Sequence, residues 1–132
     1  MLNFTMSELI HSDKANLHKI NNVPTDPKIL DNMLNLIVYC LQPLRNKVGK
    51  PIIITSGYRC EKVNKLVGGV SNSQHRTGQA VDFTIKGMTV AQAVEYIKIS
   101  GIEFDQLINE YGAWVHISYN KGHNRRDVRK IG

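Results

Sequence analysis

The sequence predicts an α+β fold, a mostly antiparallel sheet with flanking helices, and three observations carry that expectation. Ile29, Met33, Leu36, Ile37, Cys40 and Leu44 recur at three- and four-residue steps, the period of one helix face. The β-branched run Ile52-Ile53-Ile54-Thr55 and the alternating run from Gln79 to Ile85 have the composition and period of strands. Two further strand-like runs, Phe104 to Glu110 and Trp114 to Tyr119, flank the short loop Tyr111-Gly112-Ala113 and read as a hairpin.

The elements follow in chain order. Thr5-Met6-Ser7-Glu8 has capping-box spacing and opens a short helix before the polar loop Asn21-Asn22-Val23-Pro24. Thr25 is placed to cap the long helix, Asp26 suits its positive end, and Gly49-Lys50-Pro51 stops it. The Ile52 run reads as a buried strand ending at Ser56-Gly57, and Cys60 to Val67 as a short helix closed by Gly68-Gly69. In the next strand Val81, Phe83 and Ile85 share one face, Ala80, Asp82 and Thr84 the other. Thr89 then caps a helix through Val90, Ala91, Val94 and Ile97, stopped at Gly101.

Bulk properties bound the function. With 132 residues, 42% hydrophobic, and no repeat or flexible linker, the chain reads as a single domain over residues 1–132 and as a monomer. No apolar stretch is long enough to span a bilayer. The start, Met1 to Glu8, lacks the features of a secretory signal, so the expected compartment is cytoplasmic. Two cysteines without C-x-x-C spacing exclude a cysteine-only metal site, and no structural disulfide is expected. The net charge is +6, with Lys121, Arg125, Arg126, Arg129 and Lys130 crowded towards the end. That balance fits a polyanionic partner or a solvated face. No helix-turn-helix, zinc-finger spacing or aromatic–basic interleaving accompanies it, so nucleic acid is not expected.

The most informative segment is Ser73-Gln74-His75-Arg76-Thr77-Gly78-Gln79-Ala80-Val81-Asp82. Imidazole nitrogen and carboxylate oxygen are zinc ligands, and a catalytic zinc site takes three of them from the protein. His75 falls in a loop, Asp82 on the strand face bearing small Ala80 and Thr84, and Gly78 lets the chain double back between them. His116 repeats the arrangement, sharing a face with Trp114 and Ser118 while Val115, Ile117 and Tyr119 face the core. A strand histidine is more often merely hydrogen-bonded, and His11, His18 and His123 are read that way.

The combination S-x-H-x-x-G-x-A-x-D with a later W-x-H resembles the zinc D-Ala-D-Ala carboxypeptidase family and its phage endolysin relatives, which share their fold with the signalling domain of Hedgehog proteins. The likeness includes Ile54-Thr55-Ser56-Gly57-Tyr58-Arg59, Phe104-Asp105-Gln106-Leu107-Ile108 and Trp114-Val115-His116-Ile117-Ser118. Phe4-Thr5-Met6-Ser7-Glu8-Leu9 and Asn124-Arg125-Arg126 look like the small phage- and prophage-borne branch. The resemblance implies one zinc ion on His75, Asp82 and His116 and hydrolysis of bacterial peptidoglycan stem peptides, as a carboxypeptidase or an endolysin-type endopeptidase. It also implies a protein held in the cytosol until released to the wall, its basic end available to anionic wall polymers.

In many members of that family an acid three positions before the second ligand histidine serves as general base; here that position is Ala113. The nearest acid is Glu110. A three-residue loop would pair Glu110 with Trp114 on the face of His116, whereas a two-residue loop would put Asn109 there; the first is favoured. Arg59 matches the family arginine that holds a substrate carboxylate or a developing oxyanion. Ser73 and Trp114 are further candidates for substrate contact. Ala113 keeps a second reading open: a non-catalytic zinc-containing binding or virion-associated domain of the same fold.

Overall fold

A computed structural model describes residues 2–132. Helix α1 (Met6–Ile10) opens on the capping box its spacing predicts: Thr5 Oγ1 accepts the Glu8 N–H and Glu8 Oε1 accepts the Thr5 N–H, each at 3.1 Å. A second short helix, α2 (Asp13–Leu17), follows at once, capped by Ser12. No element was expected there, because one turn is too short to show a hydrophobic period.

The long helical stretch is interrupted. Helix α3 (Pro27–Leu36) is capped by Asp26 and not Thr25, since Pro27 fills the first helical position and leaves its predecessor as the cap. A π turn, Ile37–Leu41, then widens the chain before α4 (Gln42–Val48), and the Gln42 N–H bonds the Ile37 carbonyl. Pro43 has no N–H and its ring would crowd the Tyr39 carbonyl in a regular helix. The predicted face nevertheless stays inward: Met33, Leu36, Ile37, Cys40 and Leu44 are buried and Ile29 is half-buried, and Leu41, not part of the predicted face, joins them.

Strands β1 (Ile52–Ser56), β2 (Ala80–Ile85), β3 (Gln106–Glu110), β4 (Trp114–Ser118) and β5 (Asp127–Ile131) form one sheet in the order β1-β2-β4-β3-β5. The sheet is mixed and not mostly antiparallel: β5 lies parallel to β3, pairing Gln106 with Asp127 through Glu110 with Ile131. The cause is the return path from β4. Residues 119–126 cross the start of β3, where the Arg126 N–H bonds the Phe104 carbonyl and the Asp127 N–H the Asp105 carbonyl. The chain therefore enters β5 in the direction of β3. The residues of β5 had read as a basic tail, because an edge strand with exposed Val128 and Ile131 shows no inside–outside alternation. The expected buried strand β1 is instead the other edge of the sheet, with Ile52 buried but Ile53 50% exposed.

A short helix, α5 (Glu61–Leu66), lies between β1 and β2 in the chain, within the predicted span Cys60 to Val67. One face of the sheet is closed by α3, α4 and α6 (Val90–Ile99), packed on Val81, Phe83, Leu107, Val115 and Ile117. Thr89 supplies the predicted cap of α6, with Gln92 completing a capping box. The opposite face carries Asp82, His116, Ile108 and Glu110. Across it Ser56, Asp82, His116 and Ile108 stand in register on successive strands, which sets Asp82 and His116 directly opposite one another.

Candidate metal centre

His75 reaches this row from the loop before β2. Gly78 gives the loop its shape: its φ is +76°, and a Cβ there would stand 2.8 Å from the Ile29 carbonyl oxygen of α3. Ser73 Oγ accepts the His75 N–H at 3.2 Å, and the Arg59 N–H bonds the His75 carbonyl at 2.9 Å. The ring is then fixed by its Nδ1, 2.8 Å from the Gly57 carbonyl oxygen. Only a glycine fits at position 57, because a Cβ would collide with the Leu9 backbone.

The three expected ligands converge. Asp82 Oδ1 lies 3.3 Å from His75 Nε2 and 3.0 Å from His116 Nδ1, and one ligand atom from each residue falls within 4.8 Å of the others. All three residues are buried. Burial works against charge on Asp82, yet hydrogen bonding to His116 and His75 holds its carboxyl well below the usual carboxylate range. The donor set suits a cation. A carbonyl can only accept, so Nδ1 donates to Gly57 and Nε2 is the nitrogen that meets Asp82: with a proton it donates to the carboxylate, and without one it offers its lone pair to a metal ion. Two imidazoles and one carboxylate are zinc ligands, and three protein ligands leave a coordination position open.

Arg59 enters from the chain after β1, with Nη2 3.4 Å from Asp82 Oδ2 and Nε 3.3 Å from Ser56 Oγ. Burial lowers the pKa of its guanidinium, and Asp82 and Glu110 work in the opposite direction. Asn22 anchors this segment: it donates to the Ile10 and Tyr58 carbonyls and accepts the Cys60 N–H. The hairpin loop has three residues, so Glu110 pairs with Trp114, and its Oε1 stands 3.9 Å from His116 Nδ1. Asn109 instead closes the turn, accepting the Gly112 N–H.

Two clefts meet this group. One, of about 380 Å³, is lined by Arg59, Asp82, Trp114 and residues 11–14. The other, of about 390 Å³, is lined by His116, Glu110, Ser73, Gln74, Gln106 and Arg125. Trp114 Nε1 is buried without a hydrogen-bond partner among the described residues. Sequence reasoning had missed Asp105, which is 1% exposed and accepts from Gln74 Nε2 and from Arg125 through its backbone N–H, Nε and Nη2. It ties the loop that carries His75 to the crossing that leads into β5.

The family model described as peptidase M15 matches residues 2–118. The chain belongs to that family. M15 peptidases are zinc-dependent metallopeptidases, and the buried His75-Asp82-His116 group is where this M15 chain could hold one metal ion. A search of curated proteins gave no match. No helix among the described residues is long and apolar enough to cross a membrane.

Proposed function

We propose that this M15 chain cleaves peptide bonds within the stem peptides of bacterial peptidoglycan, as an endopeptidase of endolysin type, with zinc on His75, Asp82 and His116. The observation that carries catalysis is Glu110, whose carboxylate stands 3.9 Å from His116 Nδ1 on the wall of a cleft. Ala113 cannot act as a base, and the three-residue turn, which sets Glu110 on the face of His116, supports Glu110 in that role. The two clefts support endo-cleavage: Asp82 opens on one and His116 on the other, so peptide can extend both ways from the ligand group.

Zinc held there would supply Lewis-acid polarisation of the scissile carbonyl and make water a stronger nucleophile. Glu110 takes the proton of the attacking water and returns it to the leaving amine. Arg59, fixed by Ser56 and Asp82, directs its remaining donors to the developing oxyanion or to a substrate carboxylate. Ser73 shapes the His75 loop and lines the second cleft; Trp114 walls the first. In the Glu110→Gln variant zinc content should be unchanged while hydrolysis of purified peptidoglycan falls by about 10²–10⁴. Undiminished turnover would end the assignment of the base. Wild-type protein that binds zinc but releases no peptide would favour the binding-domain reading, and mass spectrometry of the muropeptides would name the bond.

A further inference from the structure

We propose that Arg125 is a second carboxylate receptor of this protein, selecting an acidic residue of the peptide on the side of the scissile bond away from Arg59. Its Nε is 2.8 Å from Asp105 Oδ1 and its Nη2 3.0 Å from Asp105 Oδ2, so Asp105 occupies the lateral edge of the guanidinium. The backbone N–H of Arg125 bonds the same carboxylate at 3.0 Å, which fixes the residue at both ends. The outer edge, Nη1 with the second hydrogen of Nη2, has no partner among the described residues. A guanidinium carries five N–H donors in a fixed plane, and that outer pair is spaced to grip a second carboxylate.

Burial is asymmetric across the ion pair. The Asp105 side chain is 2% exposed and that of Arg125 58%, so the anion is hidden and the cleft meets the cation. Arg125 lines the same cleft as Glu110 and His116, whereas Arg59 lines the other. The two arginines thus serve opposite sides of the ligand group. Gln74 adds a neighbouring constraint: its Nε2 is spent on Asp105, which leaves Oε1 without a partner in a side chain that lines this cleft. A carboxylate beside a peptide N–H matches that pairing of donor and acceptor.

The proposal takes its ligand from the peptidase reading, and its test does not depend on turnover. Calorimetry on the zinc-loaded Glu110→Gln protein would compare a stem peptide bearing free carboxylates on its acidic residues with the same peptide as carboxamides. The acid form should bind about tenfold tighter, the scale of one charge-assisted contact. Arg125→Gln in the same background should abolish that preference. Arg125→Lys keeps a cation on Asp105 but has no outer edge to offer, so it too should lose the preference, with zinc content equal to the parent's and a melting temperature above that of Arg125→Gln. A preference that survives both substitutions, no preference in the parent, or no peptide binding at all would overturn the role of Arg125. Hydrolysis of the acid peptide by wild type is scored separately; its absence removes the peptidase reading without deciding the binding result.

Discussion

Asp105→Ala tests whether the unforeseen carboxylate is a main fastening of the fold. Four hydrogen bonds end on its two oxygens, three of them from Arg125, and the residue is 1% exposed. Its loss leaves the Gln74 amide and the Arg125 backbone N–H without their acceptor, and a hydrogen bond to a charged group is worth about 1.5–3 kcal/mol. The Arg125 guanidinium is more than half exposed, so water replaces its contacts and only the other two count, about 3 kcal/mol together. For a chain of this size that lowers Tm by about 10 °C. The loss should depend on pH. Hydrogen bonding to Arg125, opposed by burial, holds the Asp105 carboxyl below its ordinary value. A depressed carboxylate stabilises fully above its unfolded pKa, about 3.9. Its contribution disappears as pH falls through the lower, folded value, so the gap between wild type and Asp105→Ala should close below pH ~4. Thermal unfolding followed by circular dichroism from pH 7 down to 3 reads both effects. A variant within 2 °C of wild type at pH ~7, or a gap that widens in acid, would refute the reasoning.

Zinc at a hundredfold excess over its Kd should raise the stability of the metal-free protein by about 2.7 kcal/mol, and His75→Ala or Asp82→Ala should abolish the shift. Gly78→Ala should cost about 3 kcal/mol in chemical denaturation, from left-handed strain together with collision against α3. Burial pushes the Cys40 thiol up to about 12, so native protein should titrate with a thiol reagent at the half-buried Cys60 alone and release Cys40 only on unfolding.

What the sequence disclosed were features written locally. The capping boxes at Thr5 and Thr89, the alternation that put Asp82 and His116 on one face, and the hairpin at residues 111–113 depend on neighbours a few residues apart. The features that stayed hidden are tertiary. Asn22 and Asp105 are polar residues in loops, indistinguishable by composition from solvated ones until Tyr58 or Arg125 arrives from a distant part of the chain. The parallel pairing of β5 was illegible because its side chains, rich in charge at an edge, satisfy no face rule. The π turn is legible only in hindsight from Pro43, whose effect depends on how the helix on either side is already packed. Resemblance filled one of these gaps, naming Arg59, but it could not say that Gly57 and Ser73 hold the metal-loop histidine.

The parallel strand β5 changes what counts as the working part of the molecule. Every expected ligand lies before residue 117, yet the Tyr111 N–H bonds the Ile131 carbonyl at 2.7 Å, and Ile131 pairs with Glu110. A protease nick at residue 120 or 121 would spare the ligands and free the segment that braces Glu110, the proposed base. Such a clipped protein should still take up zinc while losing the hydrolysis proposed for Glu110. Metal content alone would then be a misleading certificate of activity, and a side chain at position 132 would collide with the Tyr111 ring beside Glu110.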